Sequence, residues 1–268
     1  AFDSFKGSLS AQDTVTIVGK AVRTTLPNAT ITELPLADGG EGTTEALAHY
    51  LNASWQICNA HDALMRPITT KYAISSNGTT AIMDMASAAG LTLLSSEERN
   101  PMLTTTFGVG EMLKDAISKG CKHILLGIGG SATNDAGIGM LAALGVKFYD
   151  NHKREVTPIG KNLKLISSVD LSKIINLKTI TIDVICDVTN PLYGPNGAAH
   201  IYAKQKGANS TEIIELDNGL RHFATLCTTN PNTSGAGAAG GLGYALLSLN
   251  ANLKNGAEIV LETAQLAH

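Results

Sequence analysis

One run restricts the fold more than any other: Gly127-Ile128-Gly129-Gly130-Ser131-Ala132-Thr133-Asn134-Asp135-Ala136-Gly137-Ile138-Gly139. The apolar His123-Ile124-Leu125-Leu126 leads into it, and the small-residue helical pattern Met140-Leu141-Ala142-Ala143-Leu144 leads out. Strand, glycine-rich turn, helix is the unit of an α/β fold. Amides at such a turn lack internal acceptors, and a helix N-terminus attracts anions. Ser131, Thr133, Asn134 and Asp135 add hydroxyl, amide and carboxylate groups within a few residues, which points to a site for phosphate or another oxyanion. Glycine turns that bind nothing also follow buried strands, and these four residue types are ordinary N-caps. The stretch alone leaves both readings open.

Composition narrows the class. A chain of 268 residues holds one large domain or two smaller ones. Few aromatics and abundant Gly and Ala suit close α/β packing rather than a β-sandwich. The net charge of −3 makes no electrostatic case for nucleic acid or an anionic membrane surface. Cys58, Cys121, Cys186 and Cys227 are widely spaced without a C-x-x-C pair, which argues against a zinc cluster and a disulfide framework. With no signal-peptide pattern and no apolar run of bilayer length, the expected location is cytoplasmic.

Ser10-Ala11-Gln12-Asp13 is a capping pattern for a first helix that Pro27-Asn28 ends, and residues 29–35 alternate as a short strand. Leu36-Ala37-Asp38-Gly39-Gly40-Glu41-Gly42 is a second glycine-rich turn, whose carboxylates either cap the next helix or bind a cation. Residues 53–85 alternate in three segments separated by turns, the rhythm of an antiparallel meander, with His61 and Asp62 expected in an exposed connection. Asp84 interrupts an apolar strand, so it stands at a strand end or has a function. A small-residue helix is expected over 86–94, a helix opened by Thr104-Thr105-Thr106, a strand over 146–149 and another over 177–186. The last of these empties into Asp187-Val188-Thr189-Asn190-Pro191, and ligands of open α/β sheets gather beyond strand C-termini. A short helix over 198–205 with Lys204 and Lys206 near its end, a helix over 211–227, a glycine-rich opening at 234–244 and a last helix from Gly256 complete the pattern.

The turns together supply amide donors for phosphate, carboxylates for a divalent cation, and Lys6; that inventory fits phosphoryl transfer, where positioning and charge neutralisation dominate. There is no G-x-x-x-x-G-K-[ST], no H-R-D or D-F-G set, no G-x-S-x-G elbow and no H-E-x-x-H helix.

Taken in order, Asp3-Ser4-Phe5-Lys6-Gly7-Ser8, Ala37-Asp38-Gly39-Gly40-Glu41-Gly42-Thr43, Glu98-Arg99-Asn100-Pro101 with Thr104-Thr105-Thr106, the run from Gly127 to Asp135, Cys186-Asp187-Val188-Thr189-Asn190-Pro191-Leu192, and the run from Gly235 to Gly243 resemble the signature blocks of the bacterial glycerate kinase family, type I. The resemblance implies ATP- and Mg²⁺-dependent phosphorylation of D-glycerate, with 2-phosphoglycerate the favoured product. It implies a two-part α/β architecture: a flavodoxin-like parallel sheet with a second, mixed-sheet α/β domain inserted and the active site in the cleft between them. On this chain the parts are expected at 1–50, 51–245 and 246–268, the last beginning the return to the first. The family pattern has a strand before the first block and a Gly-Glu-Gly-Arg-Ile-Asp block with further βα units beyond the position of His268, so the chain reads as truncated at both ends.

The roles expected from the residues and the resemblance are these. Asp187, Lys6 and, as runner-up to Asp187, Asp135 are the catalytic candidates. Gly129, Gly130, Ser131, Thr133, Asn134 and Asn190 are expected to bind substrate. Ser4, Ser8, Gly39, Gly40, Gly237 and Gly240 are expected around the nucleotide, and Asp38 and Glu41 around Mg²⁺. Expected partners are D-glycerate and ATP, with a homodimer possible. Two further readings stand beside this one: a catalytically degenerate module that binds glycerate or nucleotide, and, from the glycine turns alone, an NAD-dependent oxidoreductase.

Overall fold

A computed structural model describes residues 1–2, 5, 8–37 and 42–264. Ser4, Lys6, Asp38, Gly39, Gly40 and Glu41 therefore lie outside the described residues.

Helix α1 (Ala11–Thr25) starts where Ser10 accepts a hydrogen bond from the Asp13 amide at 3.0 Å. The stretch expected as a strand over 29–35 forms, among the described residues, only a bridge from Pro35 to Phe2, with no partner strand along it. Helix α2 (Thr43–Tyr50) leads to the meander: β1 (Ser54–His61), β2 (Pro67–Ile74) and β3 (Thr80–Asp84), antiparallel throughout. Asp62 is buried rather than exposed: its Oδ1 accepts the Leu64 and Arg66 amides at 2.9 Å each and closes the β1–β2 turn. An Asx carboxylate satisfying turn amides supplies what the sheet cannot.

The chain then becomes βαβ in character. After α3 (Ala86–Ala89), shorter than the helix expected there and followed by two 3₁₀ turns at Leu91–Leu93 and Ser96–Glu98, come α4 (Phe107–Ser118) and β4 (His123–Gly127), which pairs parallel with β3. Next are α5 (Ile138–Ala143) and the small antiparallel pair β5 (Lys147–Tyr149) and β6 (Ser168–Asp170). Strand β7 (Thr181–Ile185) lies parallel to β4. Helices α6 (Ala198–Tyr202), α7 (Ser210–Ala224) and α8 (Ala238–Ser248) lead to β8 (Asn252–Lys254), parallel to β7, and to α9 (Gly256–Thr263). The main sheet is ordered β1-β2-β3-β4-β7-β8. Among the described residues no helix is long and apolar enough to cross a membrane.

Both faces of the sheet are covered, as continuous apolar strands require. Met83, Ile124, Leu126 and Val184 face the larger core with Val109, Met112 and Leu113 of α4. Ala73, Ile82, Leu125 and Ile185 alternate to the other face and meet Leu47 of α2 and Ile259 and Val260 of α9. Each fully buried Leu or Ile contributes about 1.5–3 kcal/mol. The register aligns Asp84 with Gly127 and Gly127 with Ile185, so the chain leaves β3, β4 and β7 at one edge.

Candidate active site

At that edge the segments after β4 and β7 meet the α6 and α8 regions around a cavity of about 330 Å³. Its lining includes Gly129, Gly130, Ser131, Asp187, Tyr202 and Lys206. This is the position where open parallel sheets take their ligands.

The β4 turn is built differently from the expected strand–turn–helix anion site. Helix α5 begins only at Ile138, and its N-terminal amides are already taken. Asp135, fully buried, accepts the Gly137 amide at 3.0 Å and the Gly139 amide at 3.2 Å. It also accepts the Thr106 amide at 2.7 Å and the Thr106 hydroxyl at 2.9 Å. A carboxylate on a helix N-terminus competes away any external anion. Burial pushes the Asp135 carboxyl upward, and the four donors pull it back. Asp135 does not line the cavity, so its geometry is that of a structural anchor rather than of a base.

What remains for a ligand is the backbone before it. Gly130 has φ +70°, a conformation that glycine adopts without strain, and its carbonyl accepts the Leu91 amide at 2.9 Å. The Ala132 amide is held by the Ala89 carbonyl at 2.9 Å. Among the described residues the amides of Gly129, Gly130 and Ser131 have no acceptor. Consecutive free amides in a turn make an anion-receptive concavity. Behind it, the threonine run pins the loop: the Thr104 hydroxyl donates to the Ala132 carbonyl at 3.0 Å, and the Thr106 hydroxyl accepts the Met140 amide at 2.9 Å. Three hydroxyls exceed what a cap requires because two of them hold this second loop.

The other expected residues separate into distinct places. Asp187 is exposed and lines the cavity; its Oδ1 accepts the Gly256 amide at 3.0 Å, and its Oδ2 has no partner among the described residues. Asn190 is spent on the protein: its amide donates to the Asn196 carbonyl at 2.8 Å and its oxygen accepts the Tyr202 hydroxyl at 2.6 Å. It holds the β7 exit loop in shape. Thr133 and Asn134 are fully buried, and neither the Thr133 hydroxyl nor either end of the Asn134 amide has a partner among the described residues. Gly237 and Gly240 are packing glycines: a Cβ would stand 2.2 Å from the Pro191 carbonyl at the first and 2.0 Å from the Thr133 carbonyl at the second. Ser8 is exposed in a turn on the Phe5 carbonyl and does not line the cavity. At the edge beside the cavity, Gly127 is required because a Cβ there would stand 2.2 Å from the Asp84 carboxylate.

One lining residue escaped the sequence reading. Lys206 looks like a solvated cation at a helix end, yet it is 2% exposed. Its Nζ donates to the Ser131 hydroxyl and to the Thr133 carbonyl, each at 2.7 Å. Burial pushes its pKa down to about 7, with the Asp135 charge opposing the fall. The signal was present: Ala199, Ala203 and Lys206 recur at the spacing of one buried helical face, and both alanines are fully buried.

A mixed, mostly parallel α/β sheet with a cavity at the C-terminal ends of its parallel strands defines the chain as an open-sheet α/β protein. The comparisons narrow this further: the glycerate kinase family model matches residues 1–268, and the chain belongs to that family. It is 41% identical over 267 residues to the glycerate kinase of Bacillus subtilis, covering 97% of this chain and 70% of the relative. It is 43% identical over 265 residues to the glycerate 2-kinase of Escherichia coli, covering 96% and 70%. A crystal structure from Salmonella typhimurium LT2, described as a candidate glycerate kinase 2, superposes with a TM-score of 0.93 at 38% identity over 98% of this chain and 72% of that one.

Proposed function

We propose that this protein phosphorylates D-glycerate with the γ-phosphoryl group of ATP, with 2-phosphoglycerate the favoured product. The observation that carries the reading is the chemistry of the cavity in a glycerate kinase family chain: among the described residues, unpaired amides of Gly129, Gly130 and Ser131 on the β4 exit and one carboxylate, Asp187, on the β7 exit. A hydroxy acid needs both kinds of group, donors for its carboxylate and an acceptor for its hydroxyl.

In this reading the turn amides hold the substrate carboxylate, and Asp187 Oδ2 accepts the hydrogen bond of the reacting hydroxyl. The hydroxyl oxygen attacks the γ-phosphorus, the bond from that phosphorus to the ADP oxygen breaks, and the hydroxyl proton passes to Asp187 Oδ2. Orientation dominates, because phosphoryl transfer asks the protein for positioning more than for covalent chemistry. When bound, Mg²⁺ neutralises the phosphates. Among the described residues no group of three or more His, Cys, Asp or Glu stands together to hold it, Asp38 and Glu41 lie outside them, and no step is routed through the ion.

Asp187→Asn tests the assignment. An asparagine keeps an oxygen for the Gly256 amide while removing the acceptor charge, so the fold is expected to persist and glycerate-dependent ADP formation to fall by about 10²–10⁴-fold. Wild-type-like turnover in that variant overturns the role. Glycerate binding without ADP formation in the wild type favours the degenerate binding module instead.

A further inference from the structure

Lys206 is a cation in an unusual setting. Two of its three N–H groups are used, and both acceptors, the Ser131 hydroxyl and the Thr133 carbonyl, are neutral. Among the described residues it makes no ion pair. Asp135 is the nearby countercharge, but its oxygens are occupied by the four donors from Thr106, Gly137 and Gly139. A buried ammonium without a contacting anion is costly, and such a cost persists where a ligand supplies the missing charge. The residue also changes its neighbour. Because the Ser131 hydroxyl accepts from Lys206, its own hydrogen is free to donate, so the Ser131 side chain joins the turn amides as a donor. The Gly129–Gly130–Ser131–Lys206 part of the lining therefore offers donors and positive charge.

We propose that Lys206 is the specificity-determining residue of this cavity: its ammonium is the countercharge that selects a carboxylate-bearing hydroxy acid over an uncharged polyol or amide of the same length. The inference rests on the reading of the cavity as the glycerate site. It places the anion selection on the α6–α7 connection and not on the glycine turn alone. The turn amides are partial charges that bind neutral oxygens as well, whereas only a full charge penalises an uncharged analogue strongly.

Binding a carboxylate beside Lys206 raises the lysine's proton affinity, so the amine, largely neutral at pH 8, takes up a proton as the ligand binds. Among the described residues the other titratable groups around the cavity are Asp187, Cys186 and Tyr202, with Asp135 behind the loop. Burial moves the Cys186 thiol and the Tyr202 phenol upward, away from this range.

Two measurements test the proposal. In wild-type protein, calorimetric titration with D-glycerate at pH 8 in buffers of different ionisation enthalpy should show uptake of more than about half a proton. The amide of D-glycerate should show none and should bind at least about 30-fold more weakly. In Lys206→Met, with folding checked by thermal unfolding, the kcat/KM preference for D-glycerate over glycerol should fall by about 100-fold or more, while KM for ATP stays within about twofold of wild type. An unchanged preference together with a raised KM for ATP assigns the charge to nucleotide phosphate and overturns the proposal. An unchanged preference and an unchanged KM for ATP leave Lys206 a structural tie and overturn it equally. If Lys206→Met does not fold, the wild-type proton uptake decides alone, and its absence on bound D-glycerate refutes the role. D-glycerate that neither binds nor turns over refutes the glycerate reading itself, a different result from binding without proton uptake.

Discussion

Asp135→Asn separates an anchor from a base. In the structure Asp135 Oδ2 accepts the Thr106 amide, the Thr106 hydroxyl and the Gly139 amide, and Oδ1 accepts the Gly137 amide. Asparagine can place its oxygen where three donors converge, but its NH₂ then faces the Gly137 N–H, donor against donor. Three bonds to a charged acceptor become bonds to a neutral one, each losing about 1 kcal/mol, and one buried N–H is orphaned at about 1–3 kcal/mol. Lys206 also loses the charge that opposes its desolvation. Against this, a carboxylate no longer has to be buried, which offsets several kcal/mol. The net expectation is a destabilisation of about 3 kcal/mol, a large part of a typical total stability of 5–15 kcal/mol. With a urea m-value of about 3 kcal/mol/M, the midpoint should fall by about 1 M. Urea unfolding followed by circular dichroism reads this directly, and kcat should fall only as far as the population of folded loop does. A midpoint within about 0.3 M of wild type, combined with a collapse of kcat, would refute the reasoning and move Asp135 into the chemistry.

Two further perturbations follow from named contacts. Gly240→Ala puts a Cβ 2.0 Å from the Thr133 carbonyl at a residue with φ +69°, so about 2 kcal/mol or more of stability should be lost. The Thr133 carbonyl is also a Lys206 acceptor, so D-glycerate affinity should weaken along with stability, and unchanged affinity in a destabilised variant would dissociate the two. Burial raises the Asp84 carboxyl from 3.8 to about 6, with the Thr44 hydrogen bond opposing the rise. The folded state thus holds this proton more tightly than the unfolded chain, so stability falls by about 3 kcal/mol as pH rises from about 4 through 6 and stays lost above. Asp84→Asn should match wild type near pH 4 and exceed it in urea midpoint at pH 8; parallel pH profiles would contradict the assignment.

Much of the architecture was legible locally. The period-2 segments over 53–85 became the antiparallel β1-β2-β3 because alternation and turn residues act within a few positions. Ser10 capped α1, and the apolar run at 123–127 became a strand buried on both faces. The residues 29–35 alternate equally well, yet among the described residues form no strand, since a ladder needs a partner that local pattern does not supply. Asp62 is buried where an exposed position is expected for a related reason: a carboxylate is solvated by type until turn amides surround it.

The site divides in the same way. Glycines, hydroxyls and carboxylates clustered in the blocks at 127–135 and 186–192 marked where ligand chemistry would gather, because residue type sets what a side chain can donate or accept. Their partners across the fold decided which of them stay available. Asp135 is consumed by Thr106, Gly137 and Gly139; Asn190 by Asn196 and Tyr202; Asp187 keeps one oxygen; and Lys206, a surface residue by type, becomes the buried cation of the cavity. The sequence by itself determined the α/β class, the family and the chemical inventory. Only the tertiary structure decided which groups are spent on holding the loops and which are left for a ligand, because saturation of a hydrogen-bonding group and desolvation of a charge depend on residues far away in the chain.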